Sequence, residues 1–172
     1  MNRIESRQGG ANVRIPPPLV FVFGTVAGWA LDTYVRHLPV PIGETLGLFA
    51  ATVAALAGLL LILSALVLFR RTGQDPEPWK PSPELIGQGP YRFSRNPIYL
   101  GMLLLQCSVG LAFDSLWIVL WSAPSLLGVH FAAVLPEERY LAHRFGEGYQ
   151  RYAATTARYL GWPKTASSNR VD

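Results

Sequence analysis

Two short stretches hold most of the side chains able to do chemistry. The first, residues 87–101 (GQGPYRFSRNPIYLG), carries Arg92 and Arg95, Tyr91 and Tyr99, and an Asn96-Pro97 step that opens a long apolar run. The second is Pro136-Glu137-Glu138, followed by Arg139, His143 and Arg144. Two carboxylates near two guanidinium groups, with the free N–H groups of a helix start, suit a zwitterionic or mixed-charge ligand. The helix start favours a carboxylate or phosphate. Glu137 or Glu138 could bind an ammonium or ribose hydroxyls, and the tyrosines could stack on a base or approach a cation. Other chemistries are not written in the chain. No Cys/His spacing suits zinc, and there is neither a phosphate-cradling glycine loop nor a GxSxG nucleophile. The lone Cys107 lies inside an apolar run and reads as a packing residue. His130, near the end of the last apolar run, reads as a packing histidine or a substrate contact.

Each of these residues also has a plainer explanation. Arg92 and Arg95 suit lipid phosphate, Tyr99 suits a membrane-interface aromatic, and Glu137 and Glu138 favour a helix dipole at their position. Convergence of the set is what points to a site, and convergence depends on the elements that carry it.

Half of the 172 residues are hydrophobic and 15% are charged, against about 25% charged in soluble domains. The apolar residues form four blocks, 18–35, 44–69, 97–113 and 116–135, each near the length that crosses a bilayer. The chain is therefore expected to be all-α, a single domain over residues 1–172 built as an integral membrane bundle of four transmembrane helices. Residues 1–15 are expected to be loosely ordered, and the first block is expected to be a retained helix rather than a cleaved signal. Small residues (Gly47, Ala50, Ala51, Ala54, Ala55, Ala57, Gly58) give the second block faces for close helix packing. Residues 70–96 hold five prolines and form a loop, with Trp79, Tyr91 and Phe93 favouring order at the interface. Asn96-Pro97 marks the start of the third span. Pro124 predicts a kink in the fourth, and Pro136 a restarted or redirected helix. Residues 136–160 repeat apolar and aromatic positions at helical spacing, which predicts an amphipathic surface helix, or two broken at Gly146 to Gly148. The tail after Lys164 reads as disordered.

All but one of the 15 Lys and Arg fall in segments 1–15, 70–95 and 136–172, leaving only Arg36 on the other side. By the positive-inside rule both termini and the long loop face the cytoplasm, across the inner membrane. Asp114-Ser115 permits only a tight turn, so the third and fourth spans are antiparallel neighbours. The start of one and the end of the other must meet at the cytoplasmic face, where residues 70–96 also arrive.

With those residues in place, the stretch GPYRFSRNPIYLG followed by EERYLAHRFGEGYQRY resembles the superfamily of isoprenylcysteine carboxyl methyltransferases and phospholipid methyltransferases. The matching positions are Gly89 and Tyr91; Arg95, Asn96, Pro97, Tyr99 and Gly101; Glu137 and Glu138; Phe145, Gly146, Tyr149 and Tyr152. The resemblance implies S-adenosyl-L-methionine as cofactor. It implies that Leu85, Ile86, Tyr91, Asn96, Pro97, Ile98, Tyr99 and Glu137 bind it. Arg95, Tyr99 and Glu138 are the candidate catalytic residues, with Glu138, His130 or Tyr99 as candidates for the base that an amine acceptor needs, and His130 is the candidate substrate contact. Asn96 stands where the eukaryotic carboxyl methyltransferases have histidine. Ala133 stands where they place an arginine on the substrate carboxylate.

The implied activity is transfer of a methyl group in the membrane to a lipophilic acceptor, an isoprenylcysteine-type carboxylate or, alternatively, a phospholipid amine. The expected partners are that acceptor and the lipid bilayer, with no nucleic acid and no metal. A non-catalytic scaffold or transporter subunit is the competing class. The spans offer it little, since Gln106 and His130 are their only polar groups of note.

Overall fold

The computed structural model describes residues 10–13 and 15–161; residues 1–9 and the tail after Lys164 lie outside them. Every regular element among the described residues is helical: α1 (Pro17–Tyr34), α2 (Glu44–Arg71), a 3-10 turn (Gly89–Arg92), α3 (Pro97–Ala112), α4 (Leu116–Val129), α5 (Leu135–Phe145) and α6 (Glu147–Thr155). A π turn over His130–Val134 joins α4 to α5, so Leu116–Phe145 is one rod of 30 residues. That rod and the 28-residue α2 are long and apolar enough to cross a membrane.

Helix α2 packs on α3, α3 on α4, and α4 on α1. The faces of α2 explain its seat. Its buried residues are all small, Gly47, Ala51, Gly58 and Ala65, while Leu46, Phe49, Leu56, Leu60 and Leu63 point outward and are exposed. A row of large apolar side chains on the outside and small ones against a neighbour is the pattern of a helix in hydrocarbon. At the crossing with α3, a Cβ added to Gly58 would lie 2.7 Å from the Gly101 carbonyl oxygen. Gly58→Val is therefore expected to push α2 from α3 and cost about 1–3 kcal/mol. Thermal unfolding in detergent checks this against Gly47→Ala, whose Cβ meets only the Leu111 carbonyl at 3.6 Å.

Three local features depart from the sequence expectations. Residues 10–13 are docked rather than loose: Ala11 and Val13 are buried in a cluster with Phe21, Tyr99, Val129, Ala133 and Val134. Pro124 lies inside a continuous α4, and the irregularity comes later. There the Leu135 N–H donates to the His130 carbonyl five residues back, and this wide turn carries the chain past Pro136, which has no N–H to offer. The helix thus does not restart at Pro136. The surface segment after it forms two short helices divided at Gly146, and regular helix ends at Thr155.

Candidate functional site

The tight turn at Asp114-Ser115 brings the head of α3 and the start of α5 together, and the loop 72–88 folds over both. Between them lies a cleft with a cavity volume of about 110 Å³, part of it open to solvent. Leu85, Ile86, Tyr91, Arg95, Asn96, Ile98, Tyr99, Glu137 and Glu138 all line it. Pro97 does not: it is fully buried as the first residue of α3. Nor does His130, whose Nδ1 shares a 2.7 Å hydrogen bond with the Tyr159 hydroxyl.

The Tyr99 hydroxyl donates to Glu137 Oε1 in a very short hydrogen bond. Burial pushes the Glu137 carboxyl up to about 7, with the neighbouring Glu138 adding to the rise and the Tyr99 hydrogen bond opposing it. Among the ion pairs of the described residues Glu137 has no basic partner. Glu138 differs sharply. Arg95 approaches its Oε1 at 3.0 Å, and Arg158 grips both oxygens, Nε to Oε1 at 2.9 Å and one terminal nitrogen to Oε2 at 2.8 Å. Bidentate geometry of this kind fixes orientation as well as charge. Adjacent carboxylates on one helix turn thus have opposite environments, one lacking a cation and one clamped by two.

Aromatic groups complete the far wall. Tyr152 donates to the Tyr91 carbonyl at 2.7 Å, and the Tyr91 ring stands edge-on to Phe69, centroids 5.9 Å apart. Burial, with the charge of Glu137 nearby, raises the Tyr91 hydroxyl far above its ordinary range, so it stays neutral. Two buried polar atoms in the lining, Gln74 Nε2 and Arg95 Nε, have no partner among the described residues. Each orphan costs about 1–3 kcal/mol unless something bonds to it.

Asn96 does not cap α3 with its side chain. Its Nδ2 donates instead to the Arg158 carbonyl at 2.8 Å, and the Arg95 N–H donates to the Ala157 carbonyl at 2.9 Å. Residues 157–159 therefore strap the head of α3 to α5. Arg158 is the main polar residue that sequence reasoning missed. It lies beyond the periodic helix, and an ion pair across 20 residues leaves no local pattern. The acidic loop residues Asp75, Glu77 and Glu84 also line the cleft.

Residues 46–148 match the family described as phospholipid methyltransferase. The chain belongs to that family. That family belongs to one wider group with the isoprenylcysteine carboxyl methyltransferases. No curated protein matches the chain. The match runs from α2 through α5, so the phospholipid methyltransferase region contains the loop, both helix heads and the Glu137-Glu138 pair. It excludes Ala11 and Arg158, which touch the same cleft or its carboxylates. Among the described residues no group of three or more His, Cys, Asp or Glu could hold a metal ion.

Proposed function

We propose that this chain is an S-adenosylmethionine-dependent membrane methyltransferase whose acceptor is a lipid amine. The observation that carries the reading is the charge of the cleft. Five carboxylates line it, from Asp75, Glu77, Glu84, Glu137 and Glu138, against one lining guanidinium, Arg95; Lys80 pairs with Asp75 and Glu77, and Arg95 and Arg158 with Glu138, which leaves Glu84 and Glu137 without a basic partner among the ion pairs of the described residues. Such a lining attracts a sulfonium or ammonium and repels an anionic acceptor. Ala133, the position that would need an arginine for an acceptor carboxylate, is fully buried among apolar side chains. This favours the amine over the isoprenylcysteine-type carboxylate.

The residues fit the cofactor. Leu85, Ile86 and Tyr91 offer an apolar and aromatic wall for a base. Gln74 Nε2 and Arg95 Nε are donors without partners, suited to its carboxylate and other acceptors, and Glu137 supplies the missing negative charge. When bound, the cofactor supplies a methyl group on an already electrophilic sulfonium sulfur. What remains for the protein is positioning, exclusion of water and one proton. An ammonium acceptor must lose a proton before it can act as a nucleophile. Glu137, with its carboxyl near neutrality and oriented by Tyr99, is the group at which that proton can be held. Arg95 and Glu138, locked to each other and to Arg158, act as a frame rather than as acid or base.

Four spans, corresponding to α1, α2, α3 and the apolar part of the long rod, would put both termini and the cleft on the cytoplasmic side of the inner membrane. The cofactor would then enter from water and the acceptor from the bilayer. Calorimetric binding of S-adenosylmethionine to purified protein tests the reading, with Tyr99→Ala expected to bind at least tenfold more weakly. Headgroup analysis of host membranes should show N-methylated lipid only when the gene is expressed. Well-folded protein that binds no cofactor would sink the proposal.

A further inference from the structure

The stretch ahead of α1 is built into the cleft. The Gly10 N–H donates to the Trp79 carbonyl at 3.0 Å and the Ala11 N–H to the Pro78 carbonyl at 2.7 Å. The loop it grips contains Pro76, Pro78, Pro81 and Pro83, whose nitrogens carry no hydrogen, so its carbonyls outnumber its donors. Residues 10 and 11 supply two of the donors it lacks. The fit is also steric. A Cβ on Gly10 would lie 2.2 Å from the Trp79 carbonyl carbon and 2.4 and 2.5 Å from the Lys80 oxygen and nitrogen. These are main-chain atoms that cannot rotate away. Ala11, 3% exposed, lines the cleft and packs in the cluster that holds Tyr99.

We infer that residues 10–13, outside the family-matched region, form a wall of the binding cleft. They hold the proline-rich loop over the heads of α3 and α5, and the Ala11 side chain sets the room left for an occupant beside Tyr99. The apolar cluster already fills the space behind Ala11, so a larger side chain there has only the cleft to grow into. The part concerning the occupant rests on the proposed cofactor reading; the docking itself does not.

The test is hydrogen–deuterium exchange of the full chain in neutral detergent, alongside calorimetric S-adenosylmethionine binding, for wild type, Gly10→Ala and Ala11→Leu. Gly10→Ala is expected to speed exchange at Trp79, Lys80 and residues 84–86, leave α2 and α3 unchanged, and weaken binding about tenfold. Ala11→Leu is expected to keep wild-type exchange and weaken binding by a similar factor, because it fills space without releasing the loop. Unchanged loop exchange in Gly10→Ala, or unchanged affinity in Ala11→Leu, overturns the inference. If wild type binds no cofactor, the cofactor reading fails, and the exchange comparison alone then decides whether residues 10–13 hold the loop.

Discussion

Glu137→Gln is expected to weaken S-adenosylmethionine binding on the order of 100-fold and to flatten its pH dependence. The size follows from the type of interaction: removing one partner of a desolvated charge pair costs about 2–5 kcal/mol, and each 1.4 kcal/mol is tenfold. The pH dependence follows from the carboxyl being pushed up to about 7 by burial. A cationic ligand needs the ionised form. Wild-type affinity should therefore rise as pH increases toward 8, and at pH 6 it should be roughly tenfold below its plateau. The permanent charge of a sulfonium does not titrate, so the profile belongs to the protein. The effect on stability has the opposite sign. Between about 4.5, where the unfolded chain releases this proton, and about 7, where the native state does, the native state binds more protons. The ligand-free protein thus loses stability as pH rises through that window, and Glu137→Gln removes that contribution. Calorimetry from pH 6 to 8.5 checks the first claim, and thermal unfolding from pH 4.5 to 7.5 the second. Glutamine binding within threefold of wild type, with the same pH profile, would show that Glu137 does not carry the charge.

The heads of the helices were the most legible part of this site. Asn96-Pro97 does start α3, the tight Asp114 turn does set α3 against the rod, and Tyr99 does meet Glu137 as the hairpin geometry requires. Apolar runs and a proline start are local signals, and two helices joined by a turn leave little geometric freedom. The family match then recovered the same stretch from its residues. What stayed hidden was the tethering from the two ends of the chain. Ala11 and Val13 carry no periodicity, and their docking rests on carbonyls that the loop prolines leave unpaired. Arg158 sits past the last helix and reads as one more basic residue on the cytoplasmic side. Asn96 has a side chain good at capping, yet its Nδ2 donates to the residue 158 carbonyl and the side chain makes no cap bond. In each case the deciding partner is remote in sequence, so local propensity had nothing to report.

The same remote partner separates two substitutions that look equivalent, Glu138→Gln and Arg158→Gln, since each breaks the one bidentate pair. Their costs should differ. Arg158 is 41% exposed at its side chain, whereas Arg95 and Glu138 are 14% and 15% exposed. Removing the Arg158 charge leaves Glu138 still paired to Arg95, and water screens the lost bond, so about 1 kcal/mol or less is expected. Removing the Glu138 charge leaves Arg95 with no anionic partner, only the neutral Tyr149 hydroxyl at 3.2 Å from Nη1 and an Nε that already lacks a partner among the described residues, and leaves a second guanidinium close by. An uncompensated, largely buried charge costs about 3 kcal/mol, so Glu138→Gln should lower the unfolding temperature several degrees more than Arg158→Gln. The double variant Arg95→Met with Glu138→Gln removes the stranded charge and should recover most of that loss, because an apolar replacement of a buried pair is often neutral. Thermal unfolding in one detergent, with all four proteins at the same pH and salt, reads the series. Equal losses in the two single variants, or no recovery in the double one, would mean that Glu138 does not hold Arg95 in place and that the frame assigned to this side of the cleft is wrong.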